Sequence, residues 1–303
     1  MNEELKIKIS AEVSKLKEGC KQATEAIDGI DKEAKETSGN TDKHFSKMGE
    51  AAKKAGAVMA KGLAVGLGAA ATGVVALTKA AIEGYAEYEQ LIGGVETLFK
   101  DSAGVVEGYA NNAYKSAGMS ANAYMETITG FSASLLQSLG GDTAKAAEYG
   151  NQAVIDMSDN ANKMGTSMES IQNAYQGFAK QNYTMLDNLK LGYGGTKEEM
   201  QRLLDDAEKI SGIKYDISNF GDITQAIHTI QTELGITGTT AKEAASTISG
   251  STAMMKASWD NLVVGIADDN ADFDTLISNF VESASTAMGN LIPRIEIALN
   301  GVA

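Results

Sequence analysis

The side chains able to do chemistry are few and scattered. Histidine occurs twice, at His44 and His228, and cysteine once, at Cys20. Acid–base or nucleophilic catalysis needs such groups to converge on one reacting atom beside an orienting partner, and no HExxH, Cys/His cluster or GxSxG accompanies either histidine. His228, within ITQAIHTIQTEL, reads as a surface or partly buried helix residue. The acids Asp205-Asp206 and Asp268-Asp269, with Asp272 and Asp274, lack the Asp-x-Asp-x-Asp-Gly spacing that folds oxygen ligands around calcium. They are expected near helix N-termini, where negative charge meets the positive end of the dipole. Gly192-Tyr193-Gly194-Gly195 has neither the Lys-Ser/Thr ending nor the preceding strand of a phosphate loop, and reads as a turn. Cys20, alone, allows no intrachain disulfide and no thiolate cluster, and reads as a small core residue. No enzyme, metal or cofactor is therefore expected.

The elements around these residues read as all-α. One proline, one tryptophan and 6% aromatics in 303 residues suit extended or loosely packed helices better than a compact enzyme core. The net charge is −14 and unevenly spread: 12 basic against 11 acidic residues over 1–61, then 14 against 29 over 62–303. That acidic remainder repels nucleic acid, so no specific nucleic-acid binding is expected. The charged opening MNEELKIK carries no secretion signal, so the chain is expected to be made and kept in a cytoplasm.

Three regions follow along the chain. Residues 1–60 begin with the strand-like LKIKI and then place Val13, Leu16, Cys20, Ala23, Ile27, Ile30 and Ala34 at alternating steps of 3 and 4. A mean spacing of 3.5 describes a left-handed coiled-coil seam of about three heptads, weak enough at Cys and Ala to need a partner helix or a second copy. Residues 61–79 enclose an uncharged Ala/Gly-rich helix, Gly62 to Thr78. Its length of ~25 Å falls short of the ~30 Å hydrocarbon core of a bilayer. Leu63, Val65, Leu67, Val74, Val75 and Leu77 each favour insertion by roughly 0.3 to 0.6 kcal/mol, so spanning would be marginal. Gly62 and Gly66 form a GxxxG step, and Ala69 to Gly73 repeats the spacing, as close helix packing requires. A buried helix and a segment that enters a bilayer later both fit.

Residues 80–303 read as a domain of about seven or eight short antiparallel helices. Glycine at a helix end followed by Ser, Thr or Asp at the next start recurs at Gly118/Ser120, Gly140-Gly141/Asp142, Gly165/Thr166 and Gly194-Gly195/Thr196. Asp101 or Ser102 is expected to cap one further start. Capping boxes are expected at Thr166-x-x-Glu169, Thr196-x-x-Glu199 and Thr240-x-x-Glu243, the hydroxyl and carboxylate of each satisfying the other's end amide.

The block Tyr175 to Ala207, YQGFAKQNYTMLDNLKLGYGGTKEEMQRLLDDA, with LLQSLGG at 135–141, MSDNANKM at 157–164 and LGITGTTAKEAA at 234–245, resembles the N-terminal region of phage tail tape measure proteins. These belong to long-tailed phages and prophages of Gram-positive bacteria. The resemblance covers roughly residues 80–303, and the heptad and Ala/Gly segments fit it more loosely. It implies a structural virion protein that occupies the tail lumen after assembly in the host cytoplasm, scaffolds the tail tube and sets its length. It also implies help for DNA crossing the host envelope. The implied partners are tail tube and tail tip proteins, tail assembly chaperones, further copies of the chain, and the host membrane at ejection. Family members are commonly much longer, so the chain is expected to be an N-terminal fragment or a split form. A membrane-active or pore-forming helical protein outside any virion is the alternative reading.

Overall fold

The structure, a computed structural model, describes the backbone of residues 71–302 and the side chains of residues 79–294. The LKIKI strand, the Val13 to Ala34 seam and the first half of the Ala/Gly segment, with Gly62, Leu63, Gly66 and Leu67, lie outside the described residues. Gly73, Val74 and Leu77 fall in the first turns of a helix.

Among the described residues every regular element is helical, with no strand. In order these are α1 (Ala71–Phe99), α2 (Ala103–Ser116), α3 (Ala121–Ser138), α4 (Thr143–Met164), α5 (Met168–Phe178), α6 (Lys197–Ser211), α7 (Phe220–Glu233), α8 (Thr239–Ser246), α9 (Ile248–Gly265) and α10 (Phe273–Val302). Short 3-10 turns stand at Lys100–Ser102 and Leu186–Leu189. These ten helices exceed the seven or eight expected, and one of the additional boundaries, between α8 and α9 at Thr247, has no glycine to announce it. Among the described residues no helix is long and apolar enough to cross a membrane.

Local chemistry sets most of the boundaries. Ser120, Asp142, Ser167, Thr196, Asn219 and Thr247 each accept a hydrogen bond from the amide three residues on, satisfying a donor that the first helical turn leaves open. Gly165 and Gly212 close α4 and α6 in the left-handed conformation that costs glycine nothing. Ser102 precedes α2 without capping it, since its hydroxyl pairs with Thr143 Oγ1 at 3.1 Å instead.

The chain forms two compact units. Glu89–Ala244 holds the end of α1 and the helices up to α8. Its core is built from Tyr124, Met125, Ile128 and Leu135 of α3, Met157 of α4, and Ile171, Tyr175 and Phe178 of α5, all essentially without solvent contact. Each such side chain stabilises the fold by roughly 1.5 to 3 kcal/mol on burial. Gly150 lets α4 come close to α3, since a Cβ there would stand 3.0 Å from Ile128 Cδ1.

The second unit comprises, of the described residues, those up to Tyr88 and those from Ala245 onward. Ala81 of α1, Leu262 of α9, Ile266 just after that helix, and Phe273 and Phe280 of α10 make its core, with the Trp259 and Phe280 rings 5.2 Å apart. At Gly265 a side chain would run into Leu276, so this glycine sets how closely α9 and α10 approach. Pro293 lies inside α10, where it removes one backbone hydrogen bond.

One expectation about topology is corrected. α3 and α4, linked through Gly140-Gly141, meet as an antiparallel pair, but α4 and α7 run parallel. Gln152 bonds Gln225 and Asp156 bonds His228, so both numbers climb together. Parallel neighbours need a crossover, and α5, the loop and α6 supply it.

Candidate functional site

Two constellations stand out in Glu89–Ala244. The first is the Gly192–Gly195 turn in the middle of the 175–207 block. Thr196 Oγ1 accepts from Glu199 N at 3.2 Å, while the Glu199 carboxylate reaches past Thr196 to accept from Gly194 N at 2.9 Å. Arg202 binds the same carboxylate, donates to the Gly192 carbonyl at 2.8 Å, and lies over the Tyr193 ring at 4.3 Å. Tyr193 donates to Asp206, which also pairs with Lys209.

These charges tune one another. The Arg202 hydrogen bond and the Gly194 amide hold the Glu199 carboxyl down at about 2. Lys209, with help from Tyr193, keeps Asp206 below the usual carboxylate range. Burial and the Asp206 carboxylate push the Tyr193 phenol up to about 12. Gly195 has a separate job. A Cβ there would collide with the Thr184 backbone, so only glycine allows the two loop segments to cross. Asp205 and Asp206 thus sit in the second half of α6, not at its N-terminus as expected, and they act through side-chain partners; Asp205 accepts from Gln201. Asp272 and Asp274 do lie at the start of α10, where Asp272 accepts from Thr275 N.

The other two expected capping boxes are corrected. Ser167, not Thr166, caps α5, accepting from Ser170 N; Thr166 instead donates to the Asn188 carbonyl at 2.9 Å, and Glu169 lies in the first turn without a cap bond. Adjacent hydroxyls compete for one cap, and the one with a carbonyl partner elsewhere is withdrawn. Thr240 is not a cap either. Asp159 of α4 takes that part from across the fold, accepting from Gly238 N at 2.5 Å and Thr240 N at 2.7 Å, and Glu243 accepts from Asn162 at 2.8 Å.

Asp159 belongs to the second constellation, a polar seam between α4 and α7. Asp156, 1% exposed, places both carboxylate oxygens within 3.0 Å of His228 Nδ1. Burial pushes the Asp156 carboxyl up to about 6 even though His228 pulls the other way, and the hydrogen bond to Asp156 holds His228 above its ordinary value. One turn along, Gln231 and Asn160 are fully buried. Neither polar atom of the Gln231 amide, nor Asn160 Oδ1, nor the Tyr175 hydroxyl has a hydrogen-bond partner among the described residues. The sequence reading of His228 missed its partner, because Asp156 lies 72 residues away and carries no motif.

A cavity of about 330 Å³ opens between the ends of α3 and α5 and the loop before α7, with Gln137, Gln181, Asp216 and Phe178 in its wall and no Lys, Arg or His. Among the described residues no three His, Cys, Asp or Glu side chains cluster as metal ligands. On the far side of the His228 ring, Thr232 Oγ1 stands 3.4 Å from Nε2 and also pairs with Thr237 Oγ1 at 3.0 Å, so a hydroxyl, an imidazole and a buried carboxylate lie in line. No protein-family model, curated protein or solved structure matches this chain.

Proposed function

We propose that this chain is the N-terminal region of a phage tail tape measure protein, a structural virion component that scaffolds the tail tube, sets its length and assists DNA passage at ejection. The observation that carries the reading is the uninterrupted resemblance of Tyr175 to Ala207. That block supplies a coherent piece of architecture: Tyr175, Phe178, Leu186, Leu189, Met200, Leu203 and Leu204 are all buried, and the Gly192–Gly195 turn is tied to α6 through Glu199 and Arg202.

Two further features support it. The all-helical described region suits a protein whose helices, at 1.5 Å rise per residue, convert chain length into distance. The length-setting part falls outside Glu89–Ala244, whose helices pack on one another. The net charge of −14 disfavours DNA binding, as suits a component that shares a lumen with DNA and leaves ahead of it. Tail tube and tip proteins, assembly chaperones and further copies of the chain are the partners this role requires.

The test is deletion of the coding sequence from its native genome, followed by electron microscopy of the particles. The reading expects heads without tails, restored by complementation. Tails of normal length and number would overturn it.

A further inference from the structure

We propose that the cavity between the ends of α3 and α5 and the loop before α7 is a binding site for one pyranose ring of a neutral sugar, free or at the end of a chain. This inference does not depend on the tail reading, which its failure would leave standing.

The wall matches such a ligand in size and chemistry. At about 330 Å³ the cavity lies at the small end of the range that holds small molecules. Phe178, Phe220 and Ile223 give it an apolar part, each almost free of solvent contact. Four polar groups of the same wall, Ser134 Oγ, the Gln137 and Gln181 side-chain amides and Asp216 Oδ2, make no hydrogen bond among the described residues. A hydroxyl both donates and accepts, so a ring of hydroxyls can satisfy amide N–H, amide C=O and carboxylate together. The C–H positions of that ring bury against the phenylalanines. An amine would answer Asp216 alone and leave the amide N–H groups without an acceptor. An anion is rejected by a wall that holds a carboxylate and no Lys, Arg or His.

The wall is also fixed before any ligand arrives. Tyr183 donates to the Ile217 carbonyl at 2.9 Å, Asn219 Nδ2 to the Ser138 carbonyl at 3.2 Å, and Gly221 N to Ser138 Oγ at 3.1 Å. The loop before α7 is thereby tied both to the end of α3 and to the segment after α5. Asp216 Oδ1 accepts from Ser218 N at 2.8 Å and Ser218 Oγ at 2.7 Å, which orients the carboxylate and leaves Oδ2 open. Polar groups held in this way lose little freedom when a ligand binds. Gln181 is a second, independent sign. It stands at φ 57°, a left-handed conformation that favours glycine, yet carries a long amide side chain. Gln181 N and Asn182 N turn back onto the Phe178 and Gly177 carbonyls, each at 2.9 Å, and hold it there. Strained positions of this kind collect at ligand sites, and here the strain keeps an amide in the cavity wall.

Saturation-transfer NMR on the full 303-residue chain tests this, with glucose, galactose, mannose and maltotriose as probes. At least one of the four should take up magnetisation at its ring protons and titrate with a millimolar Kd. Tighter binding of maltotriose than of glucose would assign the site to a chain end; equal or weaker binding would assign it to the free sugar. Gln137→Leu changes an exposed helix position with no hydrogen bond to lose, so the chain should fold as before. It should weaken binding about two- to ten-fold, and Asp216→Asn by about ten-fold or more, in keeping with the worth of neutral and charged hydrogen bonds. Ser134→Leu, which fills the cavity, should abolish binding. No transfer to any of the four sugars overturns the proposal. So does binding that Gln137→Leu and Ser134→Leu both leave unchanged, or transfer to glucosamine with none to the neutral sugars, since Asp216 would then be reading a cation.

Discussion

Asp156 and His228, 72 residues apart, meet through a buried carboxylate whose two oxygens both lie within 3.0 Å of one imidazole nitrogen. The Asp is sealed from solvent and the His is partly exposed, with 28% of its side chain accessible. Asp159 lies close enough for its charge to act on both, and Tyr175 feels the Asp156 charge from α5. The pair therefore couples the α4/α7 contact to pH.

Both groups bind protons more tightly folded than unfolded. Their contribution to stability is complete below the unfolded values of 3.8 for Asp and 6.5 for His, and it is lost as pH rises past about 6 for Asp156 and past the raised value of His228. The protein should melt at a higher temperature at pH 5 than at pH 8, and Asp156→Asn with His228→Gln should flatten that difference. Further acidification should reverse the trend, because Glu199, Asp206 and Asp216 have lowered values and their contribution disappears as pH falls through the acid range. Thermal melts at single-unit pH steps check both limbs. A melting temperature that rises steadily from pH 5 to 8 would contradict the assignment.

Gly194 and Gly195 should differ in their tolerance of alanine. At Gly195 the added Cβ meets the Thr184 backbone, so Gly195→Ala should cost about 1 to 3 kcal/mol or more as the loop is forced apart. At Gly194 the nearest atom is Glu199 Cγ at 3.5 Å, an ordinary contact, and Gly194→Ala should stay within about 0.5 kcal/mol. Urea denaturation of the two variants separates these outcomes; equal midpoints would refute the close approach.

Caps give a third comparison. Ser167→Ala and Thr196→Ala each remove a side-chain acceptor from a helix start and should cost about 1 kcal/mol. Thr240→Ala leaves the Asp159 cap on its own amide intact and should cost less than Asp159→Ala, by chemical denaturation, because removing the carboxylate strands two amides.

Gln231 is buried with both amide atoms unpaired among the described residues. Gln231→Met keeps the length and removes the desolvated polar group, so it should stabilise the fold by about 1 kcal/mol. A loss of stability measured by denaturant titration would show that the amide is satisfied in solution.

What the sequence determined by itself was local. Helix class followed from composition and periodicity. The starts at Ser120, Asp142 and Thr196 could be placed because a cap bond spans three residues and leaves its mark within them. Where two hydroxyls stood side by side, at Thr166 and Ser167, local spacing could not choose between them, since the choice rests on a carbonyl at Asn188. Tertiary structure alone decided the rest. The parallel pairing of α4 with α7, the Asp156–His228 contact and the capping of α8 by Asp159 join residues 72 to 81 positions apart. No periodicity records such a partner. A hydrogen bond depends on where the folded backbone brings two groups, and that is set by the summed burial of Tyr124, Ile128, Tyr175 and their neighbours, none of which bears any chemical mark of the polar contacts they align.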